Sequence, residues 1–170
     1  SPINGKKSVI WLARDITQQQ LTKDKLIENN NLLNSVIEEM TDIFFVKDLS
    51  GRYKIINQAG LNFMQCSREA MIDQDDFSLF PEKMAIEFRE DDQKIIKGAT
   101  TKTYDEQVRT PKGDVTVMTT KGVYRNNNNE IMGIFALVKD ISDRVERQKK
   151  LEQARNEAQA ANEAKSTFLS

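Results

Sequence analysis

The segment Glu130–Glu146, EIMGIFALVKDISDRVE, constrains the fold more than any other part of the chain. Ile131 to Val138 is an apolar run broken only by Gly133. It is too short to span a bilayer and β-branched enough to be a buried strand. Asp140-Ile141-Ser142 ends the run, and from Ser142 the composition turns to Arg, Glu, Gln, Lys and Ala, that of a long solvated helix. A sheet strand therefore hands over to a helix with no linker between them. Val9-Ile10-Trp11-Leu12-Ala13-Arg14-Asp15-Ile16-Thr17 follows the same grammar as Ile134 to Ser142, about one domain length earlier. The repeat predicts tandem domains, with residues 1–16 the tail strand of the first and the chain a piece of a longer protein.

A chain of 170 residues accommodates one domain, two at most. Hydrophobic content of 38% is low for a compact globule, but the deficit lies in the two polar ends, so the middle can hold a core. A net charge of −1 gives no reason to expect nucleic acid or an anionic membrane as partner. Cys66 is alone, which excludes an intrachain disulfide and fits a reducing, cytoplasmic compartment. The sequence carries neither a signal-peptide pattern nor a transmembrane stretch. It also has no histidine, which excludes His-ligated haem, His-containing zinc sites, Ser-His-Asp hydrolysis and histidine phosphorylation within these residues.

Residues 17–40 predict a helix. Thr17-Gln18-Gln19-Gln20 matches a capping box at its start, and Leu26, Leu33 and Met40 recur every seven residues. Asn29 to Asn31 interrupt that seam, so the helix is either a weak coiled coil or a helix packed back on its own domain. Ile43–Val46, the turn Asp48-Leu49-Ser50-Gly51 and Arg52–Ile56 predict a hairpin. Two short helices follow at Asn57–Gln65 and Arg68–Ile72. A third begins at Pro81, carries Met84, Ala85, Phe88, Ile95 and Ile96 on one face, and stops at Gly98. Strands at Thr101–Arg109, Asp114–Arg125 and Glu130–Lys139 complete a β-β-α-α-α-β-β-β order. The fold class is α+β, a five-stranded antiparallel sheet with inserted helices over residues 41–142, flanked by N- and C-terminal helices. In the outgoing helix, residues 143–170, Leu151, Ala154, Ala158, Ala161, Lys165 and Phe168 form a heptad-spaced, alanine-rich seam that predicts close but weak pairing into a homodimer.

That order, with Asp48-Leu49-Ser50-Gly51-Arg52, Asn57-Gln58-Ala59, Asp76-Phe77-Ser78-Leu79-Phe80-Pro81, Arg109-Thr110-Pro111-Lys112-Gly113 and Asp140-Ile141-Ser142, resembles a PAS sensor domain from about Leu33 to Ser142. Glu163 to Ser170 resembles the opening of the dimerisation helix of a sensor histidine kinase. The resemblance implies a cytoplasmic signalling module rather than a catalyst, acting on a kinase core in cis, with its phosphorylated His outside these residues. It makes Asp140, Ile141 and Ser142 the transmission residues and Asp15, Ile16 and Thr17 their counterparts in the preceding domain.

PAS domains often hold a small molecule between sheet and helices. Period-two alternation turns Tyr104, Glu106 and Val108 inward on one strand. It does the same for Val115, Val117, Thr119, Lys121 and Val123 on the next. Phe45, Gly60 and Ala136 complete the candidate pocket. Glu106 and Lys121 then both face the core from adjacent strands, where they either pair with each other, meet a ligand or water, or extend to the sheet edge. Gly60 stands where relatives often carry a large apolar residue, so it either opens space or marks close helix–sheet packing. Cys66 lies in Met-Gln-Cys-Ser-Arg, not the Asn-Cys-Arg motif of the cysteinyl-flavin light sensors, and reads as a partly buried filler. A small metabolite, or no ligand, is the remaining expectation.

Overall fold

A computed structural model of the chain describes residues 4–110 and 113–168, with side chains from residue 18 onward. It divides into two units, residues 1–40 and 41–170.

The first unit is a single helix, α1, Asn4–Glu39. The tail strand expected over residues 1–16 is therefore replaced by helix wherever the structure describes it, and no helix start occurs at Thr17. The physical reason is hydrogen bonding. All five strands of the sheet lie between Ile43 and Asp140, and an extended segment without a neighbouring strand leaves its backbone groups unpaired, whereas a helix satisfies its own. Asp15, Ile16 and Thr17 fall inside α1, with side chains outside the described residues. Leu26 and Leu33 are exposed along α1, while Met40 is half-buried one residue past its end.

The second unit begins with β1 (Ile43–Asp48) and β2 (Tyr53–Ile56). Gly51, with φ +84°, takes the left-handed turn between them. Helices α2 (Gln58–Met64), α3 (Arg68–Met71), α4 (Asp76–Leu79) and α5 (Glu82–Gly98) follow. Asn57, Ser67 and Asp75 cap the first three through side-chain oxygens that accept backbone N–H bonds. Helix α4 is additional to the expected order; it is one turn long, too short to show a period, and is defined by its Asp75 cap. Pro81 precedes the first residue of α5, and Ala99 rather than Gly98 adopts the left-handed conformation that ends it.

Strands β3 (Lys102–Thr110), β4 (Gly113–Arg125) and β5 (Ile131–Asp140) complete an antiparallel sheet in the order β2-β1-β5-β4-β3. Alternation sends Val117, Ala136 and Val138 into a core cluster that also receives Phe63 and Phe88 from the helices. Tyr53, Ile56, Leu61 and Met71 form a second cluster under α2 and α3. Helix α6 (Ser142–Phe168) leaves the end of β5 with Ile141 alone between them, and none of its own residues is buried. Among the described residues no helix is long and apolar enough to cross a membrane.

Candidate functional site: a polar cavity under the inserted helices

Cross-strand register determines what meets beneath the helices. One row runs Ile43–Val138–Thr119–Tyr104 and the next Phe45–Ala136–Lys121–Lys102. Ala136 is small, which leaves room above it for the lysine beside it. A cavity of about 70 Å³ lies between this sheet face and the helices, with Phe45, Lys47, Tyr53, Gly60, Phe88, Glu106, Val108, Thr119 and Lys121 in its lining. Its other walls are apolar, from Ile43, Ile56, Phe63, Met64, Met71, Phe80 and Val138.

Of the residues singled out from sequence, Phe45, Gly60, Glu106, Val108, Thr119 and Lys121 line this cavity. Tyr104 instead faces an outer groove of about 690 Å³ between α5 and β3, whose lining shares Phe88, Glu106 and Val108 with the cavity. Val117 and Ala136 are packed into the core. At Gly60 the two alternatives separate, because an added Cβ would come within 2.7 Å of Ile56 Cγ1 and 3.1 Å of Ile43 Cγ2. The glycine there permits close helix–sheet packing. Cys66 is half-buried with its thiol 3.6 Å from Met71 Sδ, and burial pushes its pKa up.

The charges inside are more extensive than strand alternation predicts. Lys47 Nζ donates to Asp76 Oδ1 and Oδ2 at 2.7 Å each and to Asp92 Oδ2 at 3.0 Å, which uses all three of its donors. Lys121 Nζ donates to the other oxygen of Asp92 at 2.9 Å and lies 3.5 Å from Asp91 Oδ2. Lys47, Asp76, Asp92 and Lys121 are all at most 3% exposed. Of the possibilities left open for Glu106 and Lys121, neither mutual pairing nor extension to the sheet edge describes Lys121: it is buried and paired with Asp92, because α5 presents Asp92 on the buried face that also carries Ala85 and Ile95. Buried cations survive in a low dielectric only with such partners. Aromatic faces add to their environment: Lys47 Nζ is 4.7 Å from the Tyr53 ring centre and Lys121 Nζ 5.7 Å from that of Phe88.

The tyrosines close the network. Tyr53 donates to Asp76 Oδ1 at 2.9 Å, and its burial, together with the Asp76 charge, raises its pKa well above the usual value. Tyr104 donates to Asp91, and burial raises its pKa although Lys121 pulls the other way. For Lys121 burial lowers the pKa, but Asp92, Tyr104 and Glu106 outweigh it and raise the value overall. Two groups are left over. The Thr119 hydroxyl is buried with no hydrogen-bond partner, and Glu106, half-buried, makes no hydrogen bond or close ion pair among the described residues.

At the far end of β4 the sheet is tied to the outgoing helix. Ile141 N–H donates to the Thr116 carbonyl at 2.9 Å, Thr116 N–H to Ser142 Oγ at 3.1 Å, and Ser142 N–H to Asp140 Oδ1 at 2.9 Å. Asp140, Ile141 and Ser142 thus meet around Thr116, a residue that no motif in the sequence marks. Thr116 and Thr119 stand three residues apart on one strand.

Comparison with family models matches the description "PAS fold" over residues 37–146. No curated protein is a significant match. Among solved structures the chain is similar to the Vibrio cholerae VqmA dimer without its target DNA, at 24% identity and TM-score 0.59, covering 64% of this chain and 51% of that one. It is similar to the PAS domain of Bordetella pertussis BvgS at 19% identity and TM-score 0.61, covering 76% and 98%. The PAS domain of an HTR-like protein from Haloarcula marismortui gives 14% identity and TM-score 0.56 over 72% and 99%. This chain spans 49–56% of the length of the first VqmA chains it matches.

Proposed function

Because this chain belongs to the PAS family, whose model covers residues 37–146, we propose that it is a sensory module that takes a small ligand into its cavity and relays occupancy through α6. The observation carrying this reading is the placement on β4 of an unpartnered, buried Thr119 hydroxyl three residues from Thr116, the strand's tie to Ile141 and Ser142. A ligand that bonds Thr119 acts on the same rigid strand that holds the start of the helix. To shift the equilibrium it must bind one arrangement of that junction better than the other.

The output in this reading is a histidine kinase core in cis, on the resemblance of Glu163 to Ser170 to the start of a dimerisation helix, with two copies joined through their helices. The VqmA structures, one of them a complex with ligand and DNA, make a DNA-binding regulator the competing output. A ligand-free relay and dimerisation module is the second reading, supported by the small volume of the cavity, about 70 Å³.

Native mass spectrometry of the purified chain beside its denatured sample tests both. Extra mass that disappears on denaturation is expected. A bare mass that stays bare after incubation with a metabolite library leaves the relay reading standing.

A further inference from the structure

The sheet treats its two edges differently. Beyond β2 the chain folds back on its own strand: Tyr53 N–H donates to the Gln74 carbonyl at 2.9 Å, Asp73 N–H donates to the Tyr53 carbonyl at 2.8 Å, and Arg68 reaches the Ile56 carbonyl. That edge is closed. The opposite edge is β3, nine residues with neither glycine nor proline, in unbroken register with β4. Alternate residues of an edge strand turn their N–H and C=O away from the sheet. From Lys102 to Arg109 none of those outward groups is bonded within the described residues.

The groove of about 690 Å³ between β3 and α5 runs beside this open edge. Four carboxylates on its walls, Glu87, Glu90, Asp91 and Glu106, outnumber two lysines, Lys83 and Lys94, while Arg109 and Asp114 are paired with each other. Asp91 already holds Tyr104 and Lys121. Glu106, at the middle of β3, has no hydrogen bond or close ion pair among the described residues. Two residues along, Val108 joins Met84 and Phe88 in an apolar part of the wall.

From the open edge and the acidic groove beside it we infer that β3 is the docking site for an extended segment of another protein, which adds to the sheet as a sixth strand. Main-chain bonds to β3 supply affinity, and alternate side chains of the segment enter the groove. A lysine or arginine lies opposite Glu106, with apolar residues two positions to either side, against Val108 and Tyr104. Charges at a bare edge deter indiscriminate pairing; here they also select the sign of the partner. The inner cavity plays no part, so its occupancy and this docking stand or fall separately.

The probe is acetyl-Thr-Ile-Thr-Lys-Thr-Ile-Thr-amide, whose pattern reads alike in both strand directions. It is titrated to about 1 mM into the full chain, with amide chemical shifts and hydrogen exchange as readouts. Shifts are expected in β3 and on the groove side of α5, with slowed exchange at alternate amides between Thr103 and Arg109. Replacing the peptide's lysine by glutamate should weaken binding about tenfold or more, the loss of one bond to a charged group. The same peptide N-methylated throughout cannot donate to β3 and should not bind. Glu106→Gln, at a half-buried position and with its fold reported by the same spectrum, should cost the lysine peptide about tenfold and leave the glutamate peptide no weaker. Equal binding by the glutamate peptide, undiminished binding by the N-methylated one, or no effect of Glu106→Gln would each overturn the inference. So would the absence of any shift at about 1 mM, which would mean that the charges of β3 only keep the edge bare. Shifts of the same residues on raising the chain concentration without peptide would mean that a second copy's β3 takes the edge, and the inference falls.

Discussion

Lys47 illustrates how much a single side chain can fix. Its ammonium joins β1 to α4 through Asp76 and to α5 through Asp92, so one residue holds two helices onto the sheet. Lys47→Met leaves Asp76 without its cation, and breaking a buried pair from one side costs about 3–5 kcal/mol. The urea midpoint of the variant should fall accordingly at unchanged m-value. Adding Asp76→Asn, which removes the orphaned charge and keeps an acceptor for Tyr53, should recover much of the loss; no recovery would mean that packing of the lysine stem dominates. Gly60→Ala places a methyl against Ile56, and such overpacking costs about 1–3 kcal/mol. Ile56→Val in the same chain should relieve part of it, measured by the same melt. Part of this was legible in the sequence. Strand alternation placed Thr119 and Lys121 on the inner face, where they are. It could not supply the partner of Lys121, since strand period says nothing about which helix lies above. The available clue was Asp92, four residues after Phe88 and three before Ile95, on the apolar stripe of α5.

At the scale of elements, the handover from β5 to α6 was readable because a buried strand and a solvated helix differ so sharply in composition. What covers Ser142 was not, because Thr116 is distant in sequence and meets it only through the β4–β5 register. The N-terminal segment shows the opposite outcome. A strand-like run at Val9–Ala13 has local β preference, yet it lies within α1, since β preference needs a neighbouring strand to express it. Ser142→Ala removes the acceptor for the half-buried Thr116 N–H and should cost about 1 kcal/mol. The cost should be local: hydrogen exchange accelerates at Thr116 and in the first turn of α6, including the Val145 amide bonded to Ile141, while the rest of the sheet keeps its protection. Uniform acceleration over the whole sheet would show that the junction is a global staple and not a joint.

For the whole molecule, pH and self-association carry the remaining predictions. Tyr53, Tyr104 and Lys121 all have pKa values raised above ordinary values of 10.0 to 10.5. A raised folded-state pKa means the folded chain holds the proton more tightly than the unfolded one. That stability is fully present below the unfolded value and is lost as pH rises through the folded value. Unfolding free energy should therefore decline once pH passes about 10, and a flat profile to pH 11 would contradict the burial of the two tyrosines and the pairing of Lys121 with Asp92. Self-association follows from α6, 27 residues with none buried, on which Leu151 is 72% and Phe168 91% exposed. Most helix stability in proteins comes from packing an apolar face, and the seam of Leu151, Ala154, Ala158, Ala161 and Phe168 is exposed among the described residues. A second copy covers it under the proposed dimer. Helical ellipticity should then rise between about 1 and about 100 µM, the span that titrates a micromolar dimer. Leu151→Asp should remove the rise and leave the sheet intact. Ellipticity independent of concentration, with a monomer mass throughout, would mean that α6 stands alone and that its alanine face is not a dimer seam.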